Sequence, residues 1–237
     1  MIRAHMATFP DRLSVLPQAV GSIAAQVDRV YLVLNDYAEV PGEIAAIGNV
    51  EPIIPETDLK DVGKFLPEAA PDDLVFLADD DIHYEPGYVR ALVSAGEALG
   101  LDRAVVGYHG SIYGDVGANG VNDRSIYSFY RPRRKTIRVD QLGTGVMMAL
   151  GRNVAPLSHM MGSQKFVDVR YAAWLQARGV ASWCIRREAP LATQLFPKGA
   201  GRGSIYKTFT LTNPETVTAE ILQFAGKAEG IGEAFAV

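Results

Sequence analysis

The sequence predicts an α/β protein built on a mostly parallel, doubly wound sheet flanked by helices. Three observations lead there. The first half alternates short apolar runs with stretches whose apolar residues recur at helical spacing. A hydrophobic content of 48% over 237 residues suffices for a sizeable core. No linker, low-complexity tract or internal repeat divides the chain, so residues 1–237 read as a single domain.

The elements follow in order. Ile2 to Thr8 predicts a first strand, and Pro10-Asp11-Arg12 opens an amphipathic stretch with Leu13, Leu16, Val20 and Ile23 on one face. Arg29 to Leu34 predicts a second, buried strand that ends at Asn35-Asp36. A short helix over 42–47, a third strand over 50–54 and a short helix near Lys64 come next. Leu74 to Ala78 is the fourth strand. Residues 86–99 predict a helix with proline in its first turn, where the missing N–H is harmless. In such sheets ligands bind beyond the carboxyl ends of the strands, where Thr8, Asn35 and three consecutive aspartates fall. The second half predicts a strand over 104–108, a mobile loop over 110–124 rich in Gly, Asn and Asp, and strands over 125–130, 136–139 and 146–150. A helix over 164–178 capped by Gly179, a strand over 180–186 and a helix over 214–225 complete the series.

Composition narrows the function. A formal net charge of −4 and a pI near 5.6 argue against a general nucleic-acid binder, which needs a basic surface to displace counterions. The single cysteine, Cys184, rules out an intrachain disulfide and a cysteine-rich zinc site. A cytoplasmic setting is expected, because the first residues hold no signal-like apolar segment and no apolar stretch is long enough to span a bilayer.

The densest chemical signal is Asp79-Asp80-Asp81, which closes the apolar run Leu74 to Ala78. A strand that delivers so much negative charge to its exposed end calls for a cation. Hard divalent ions such as Mn²⁺ or Mg²⁺ favour carboxylate oxygens and complete their shells with water and phosphates. A metal–diphosphate site is therefore expected, and a solvated acidic turn or helix cap is its alternative. Asp79 and Asp81, alternate residues of an extended segment, suit one shared ion, while Asp80 points to the other side.

The order of these pieces resembles a family 2 type glycosyltransferase with the GT-A fold. Ala7 to Arg12 with Leu16 and Ser22 through Gln26, the strand ending Leu34-Asn35-Asp36, and Val75 to Asp81 are similar to the family's nucleotide-binding strands and its Asp-X-Asp metal motif. Phe166 to Gly179 resembles the helix that carries the catalytic base. The matched pieces cover roughly residues 1–185. The resemblance implies a nucleotide-binding half over 1–107, an acceptor-side half over 108–213, and a C-terminal helix and tail over 214–237. It also implies metal-dependent, inverting transfer of a monosaccharide from a nucleotide sugar, most often a UDP-sugar, to a hydroxyl of a glycan or other acceptor. A nucleotidyltransferase or a non-catalytic nucleotide-sugar-binding module are the alternatives.

On that resemblance Asp79 and Asp81 hold Mn²⁺ or Mg²⁺, Asp80 approaches the sugar, and Asp168 is the general base. Asp168 also reads as an ordinary acid favoured by a helix N-terminus. The family's usual second acid is replaced here by Val167. Thr8, Arg12, Asn35 and Asp36 fall around the nucleotide, although turn formation explains Asn35-Asp36 equally well. Lys64 resembles a basic residue near the nucleotide, or else faces solvent. Gly143-Thr144-Gly145 is similar to an acceptor-side segment where backbone approaches the sugar. The chain has no histidine after His159 to serve as a late metal ligand. The tail 198–207 suits a lid over the diphosphate or a surface loop.

Other residues carry plainer readings. His5 and His83 lack the spacing of a zinc site. His109 stands at the start of the expected loop, within reach of a substrate. Trp174, Trp183 and Cys184 read as packing. The basic run over 131–135 suits peripheral contact with an anionic membrane or a phosphorylated acceptor, or forms a solvated hairpin.

Overall fold

Strands buried on both faces must be apolar on both, and β1 (Ile2–Thr8), β2 (Arg29–Leu34) and β4 (Leu74–Asp79) meet that demand almost throughout. In the computed structural model, which describes residues 1–196 and 215–235, they form the middle of a nine-stranded sheet. The remaining strands are β3 (Val50–Ile53), β6 (Ala104–Gly107), β9 (Thr136–Val139), β11 (Val146–Leu150), β12 (Ala181–Cys184) and β14 (Ala234–Phe235). The order across the sheet is β14-β9-β12-β6-β11-β4-β1-β2-β3. Seven strands share one direction, and β9 and β11 run against them.

Side chains alternate between two cores. Phe76 and Ala78 of β4, Val106 of β6 and Met148 of β11 join Leu16, Val20 and Ile23 of helix α1 (Leu16–Ala24) and Tyr88 and Leu92 of helix α3 (Tyr88–Leu99). The intervening residues Val75, Leu77, Val105 and Met147 face Val167, Tyr171 and Leu175 of helix α6 (Val167–Ala177). This period of two between opposite faces is what a doubly wound sheet requires. A third cluster packs Val217 and Ile221 of helix α7 (Glu215–Ile221) on Val169 and Ala172 of α6. Arg170 of α6 pins α7 through Glu220 at 2.7 and 2.5 Å.

The chain runs outward from β1 to β2 and β3, then returns to the other side of β1 as β4. The order therefore reverses between β1 and β4, and the carboxyl ends of both open onto the same crevice. Ala7 of β1 lies opposite Asp79 of β4 in the register. No helix among the described residues is long and apolar enough to cross a membrane.

Several boundaries move. The stretch after Pro10 splits into a 3-10 turn over Pro10–Arg12 and α1, which begins only at Leu16. Helix α6 starts at Val167 instead of residue 164, because Lys165 adopts a left-handed φ of 76°. The segment 110–124, expected as a loop, contains strand β7 (Gly110–Tyr113), helix α4 (Val116–Asn119) and the start of strand β8 (Arg124–Tyr127). Its polar residues build that structure. Asp115 caps α4 by accepting from Ala118 N at 3.0 Å, and the Asp123 carboxylate accepts from Asp115 N and Asn119 Nδ2. Strand β7 also pairs with β10 (Gln141–Leu142). A two-stranded pairing joins β5 (Ile82–Tyr84) to β13 (Ala192–Gln194). The tail 198–207 lies outside the described residues.

Two glycines give opposite expectations. A Cβ at Gly151 would overlap the Ala70 carbonyl oxygen, so Gly151→Ala is expected to lower stability by on the order of 1–3 kcal/mol. Gly21, inside α1, has open space around it, so Gly21→Ala is expected to raise stability by about 0.5–1 kcal/mol. Urea unfolding of both variants checks this, and shifts of the same sign would contradict it.

Candidate active site

A lysine reaches the crevice from beneath. Lys64 lies on a 3-10 turn (Lys60–Phe65) that packs over the ends of β1 and β2, with Gly63 tight against Val33 and Ala7. Its side chain is 4% exposed, and Nζ stands 2.5 Å from Asp79 Oδ1 and 3.4 Å from both oxygens of Thr144. Burial pulls its pKa down, but the field of Asp79, their hydrogen bond, and the charges of Asp168 and Asp61 outweigh burial and raise it. Lys64 is thus a buried, charged cation and not a solvent-facing residue.

The loop 143–145 closes the other side. A Cβ at Gly145 would overlap the Asp79 carboxylate, so this close approach requires glycine. Thr144 donates from backbone N (2.8 Å) and from its hydroxyl (2.6 Å) to Asp168 Oδ1. Asp168 sits in the first turn of α6 but bonds outward to this loop. Two carboxylates 89 positions apart are thereby linked through Lys64 and Thr144.

The lysine turn is fastened at two more points. Arg3 Nε donates to His5 Nε2 at 3.0 Å, which leaves the His5 proton on Nδ1, where it donates to the Lys64 carbonyl at 3.2 Å. Asp61, on the same turn, accepts from Lys165 N with both carboxylate oxygens, at 3.0 and 2.9 Å. Burial raises the Asp61 pKa, and the Lys165 N–H works against that rise.

Around the aspartates, β4 ends at Asp79 and strict alternation ends with it. Asp80 and Asp81 share Arg12, at 3.6 Å to Nε and 3.0 Å to Nη2. Burial, followed by the charge of Asp81, pushes the Asp80 carboxyl up to about 7. Asp80 Oδ2 and the Thr8 hydroxyl are both buried without a hydrogen-bond partner of normal geometry, although the hydroxyl is near enough to favour the charged carboxylate. Burial, and then Asp79, raises the Asp81 pKa, so those two carboxylates sense each other. Among the described residues no group of three or more His, Cys, Asp or Glu is arranged around one metal position. Asp79 and Asp81 each face a basic side chain, Lys64 and Arg12, and toward a hard ion they would offer two carboxylates, the remaining ligands coming from phosphate and water. His159, on helix α5 (Leu157–Met160), packs beside Trp174 at 6.5 Å between ring centroids.

Asp61, Lys64, Asp79, His109, Thr144, Lys165 and Asp168 line one cleft of about 560 Å³, together with Ile126, Tyr130 and Ile221. Thr8, Arg12, Asn35, Asp36, Asp80 and Asp81 lie at the strand ends outside that lining. Asn35 is committed to backbone: its Nδ2 donates to Thr8 O and Lys60 O, and its Oδ1 accepts from Leu59 N. Asp36 is exposed at a left-handed φ of 59°. Gly143 lies against the His109 ring. Sequence reasoning missed Asp61, whose one legible signal is its place three residues before Lys64. Trp174 stacks on Tyr171, and Cys184 is buried, as packing residues. In the basic run, Arg133 lies 4.1 Å over the Tyr127 ring.

A scan against models of known protein families finds no match to this chain, and a search of curated proteins finds none.

Burial, and after it the charge of Arg3, lowers the His5 pKa to about 3. Between that value and the ordinary 6.5 the unfolded chain binds a proton that the folded chain refuses. The stability contributed by neutral His5 is therefore complete above pH 6.5 and falls as the pH drops toward 3, by roughly 2 kcal/mol at pH 5. His5→Asn, which can still donate to Lys64 O, is expected to lose that slope. Urea unfolding at pH 7 and pH 5 measures it, and equal slopes in both proteins would refute the assignment.

Proposed function

We propose that this protein is an inverting glycosyltransferase with a GT-A type arrangement, moving a monosaccharide from a nucleoside-diphosphate sugar, in the first place a UDP-sugar, to a hydroxyl of a glycan or other acceptor. The observation that carries the reading is one cleft, beside the point where strand order reverses, that holds Asp79 and Asp168 on either side of Lys64 and Thr144. Pockets at such reversals receive nucleotides in open α/β sheets.

Displacement at an anomeric carbon needs positive charge for the departing diphosphate and a base for the incoming hydroxyl. Asp79 and Asp81 would hold Mn²⁺ or Mg²⁺, and such an ion supplies positive charge toward the leaving phosphates. Lys64 adds a fixed cation on the same side, desolvated and so more effective than in water. Arg12 keeps Asp80 and Asp81 from repelling an anionic ligand outright. Asp168, its Oδ1 fixed by two donors from Thr144, takes the proton of the acceptor hydroxyl. As that oxygen bonds to the anomeric carbon, the bond from carbon to the diphosphate oxygen breaks, and the configuration inverts.

Asp168→Asn retains an oxygen for Thr144 and removes the base. It is expected to keep UDP affinity within about twofold while turnover of the UDP-sugar falls about 100-fold or more. A thermal-shift series of nucleoside diphosphates and nucleotide sugars, with and without Mn²⁺, identifies the donor first. Metal-dependent stabilisation by one nucleotide is expected, worth about 2.7 kcal/mol at a hundred times its Kd. Unchanged turnover in the variant would remove Asp168 as the base, donor binding without turnover in the wild type would leave a binding module, and silence across the whole series would remove the nucleotide reading.

A further inference from the structure

We propose that His109 is a second substrate-contacting residue of this cleft: its Nε2–H donates to an acceptor oxygen next to the hydroxyl that Asp168 deprotonates. The acceptor class this selects is a polyol with neighbouring hydroxyls, as in a sugar ring, and the inference rests on the glycosyltransferase reading.

The position of the ring is fixed by what packs on it. His109 follows β6, and its carbonyl accepts from Gly143 N at 3.0 Å, which sets the residue beside the loop that holds Thr144. The ring lies over Gly143, where even a Cβ would come to 3.2 Å from ring Cδ2, and Phe129 stands 6.0 Å away on a tilted plane. Nδ1 is sealed from solvent and has no hydrogen-bond partner, while the side chain lines the cleft. Nε2 is thus the nitrogen left to face a ligand.

The proton can be placed by elimination. Burial lowers the His109 pKa. Asp168 and Asp79 work against that, Arg124 and Arg187 with it, and the ring is neutral at pH 7. A neutral imidazole carries one proton. A buried N–H without an acceptor is rarer and costlier than a buried lone pair, so the proton belongs on Nε2. His109 is then a pure donor toward the cleft, and Asp168 is an acceptor. A donor and an acceptor flanking Thr144 match two adjacent hydroxyls, one giving its proton to Asp168 and the other receiving a hydrogen bond from His109.

The test uses protein with ¹⁵N-labelled histidine, UDP with Mn²⁺, and n-octyl β-D-glucopyranoside as a polyol probe. The His109 resonance is assigned by its loss in His109→Gln. A neutral ring protonated at Nε2 is expected at pH 7, with a shift when the probe is added to the UDP-loaded protein. His109→Leu should weaken the probe about tenfold, and His109→Gln, which keeps a donor, should recover most of that loss. UDP affinity should stay within about twofold in both variants. A charged or Nδ1-protonated ring overturns the assignment, as does a probe that binds the Leu variant equally or fails to bind wild type. Falling UDP affinity in the variants would move His109 to the donor side and overturn it too. Wild type that ignores UDP with Mn²⁺ removes the glycosyltransferase reading itself, whereas intact UDP binding with an indifferent Leu variant removes only this inference.

Discussion

The buried Lys64–Asp79 ion pair is the constraint on which the site depends. An ammonium taken out of water is costly unless carboxylates surround it, and three do so here: Asp79 by direct contact, and Asp168 and Asp61 through their fields. Each comes from a different part of the chain. Asp79 ends β4, Asp168 opens α6, and Asp61 shares the lysine's own turn. The cation therefore draws together the sheet, the helix and the loop 143–145, and the cleft is what remains between them. Because Asp79 keeps 42% of its side chain exposed, the pair is open on one side to a ligand.

Charge in an acidic chain is balanced locally. Three successive aspartates at one strand end would repel one another, yet two basic residues offset them: Lys64 faces Asp79, and Arg12 is shared by Asp80 and Asp81. Asp80 is the least settled of the three, buried and with an oxygen that lacks a normal hydrogen bond. The whole-chain net charge of −4 says nothing of this arrangement, which depends on single basic residues at defined distances.

Much of the frame was legible because burial writes itself into apolar runs. Arg29 to Leu34 and Leu74 onward read as buried strands, helical spacing pointed to α1, and a first-turn proline and a glycine cap pointed to α3 and α6. Asp79, Asp168 and Thr144 could be singled out, yet nothing in the sequence showed that Thr144 would bond to Asp168 and Lys64. Lys64 was ambiguous because an isolated lysine carries no mark of burial, and its partners lie 15 and 80 residues away. The segment 110–124 misled for a related reason. Its order comes from carboxylates bonding to backbone N–H groups, an arrangement without periodicity. Asp61 stayed hidden likewise, since its meaning lies in reaching Lys165, and His109, read as within reach of a substrate, gave no sign of its packing against Gly143.

The double hold of Asp61 on the Lys165 amide has a bearing on how such a pocket can diverge. Lys165 is kept in a left-handed conformation three residues before Asp168, and the residue that keeps it there stands three before Lys64. The interval between Lys64 and Asp168 is thus gauged by one short turn and a single carboxylate, independent of the far strands and of the rim. Residues such as Ile126 and Tyr130 can be exchanged to suit a different guest while that gauge stays put, so selectivity and chemistry are free to change on separate schedules.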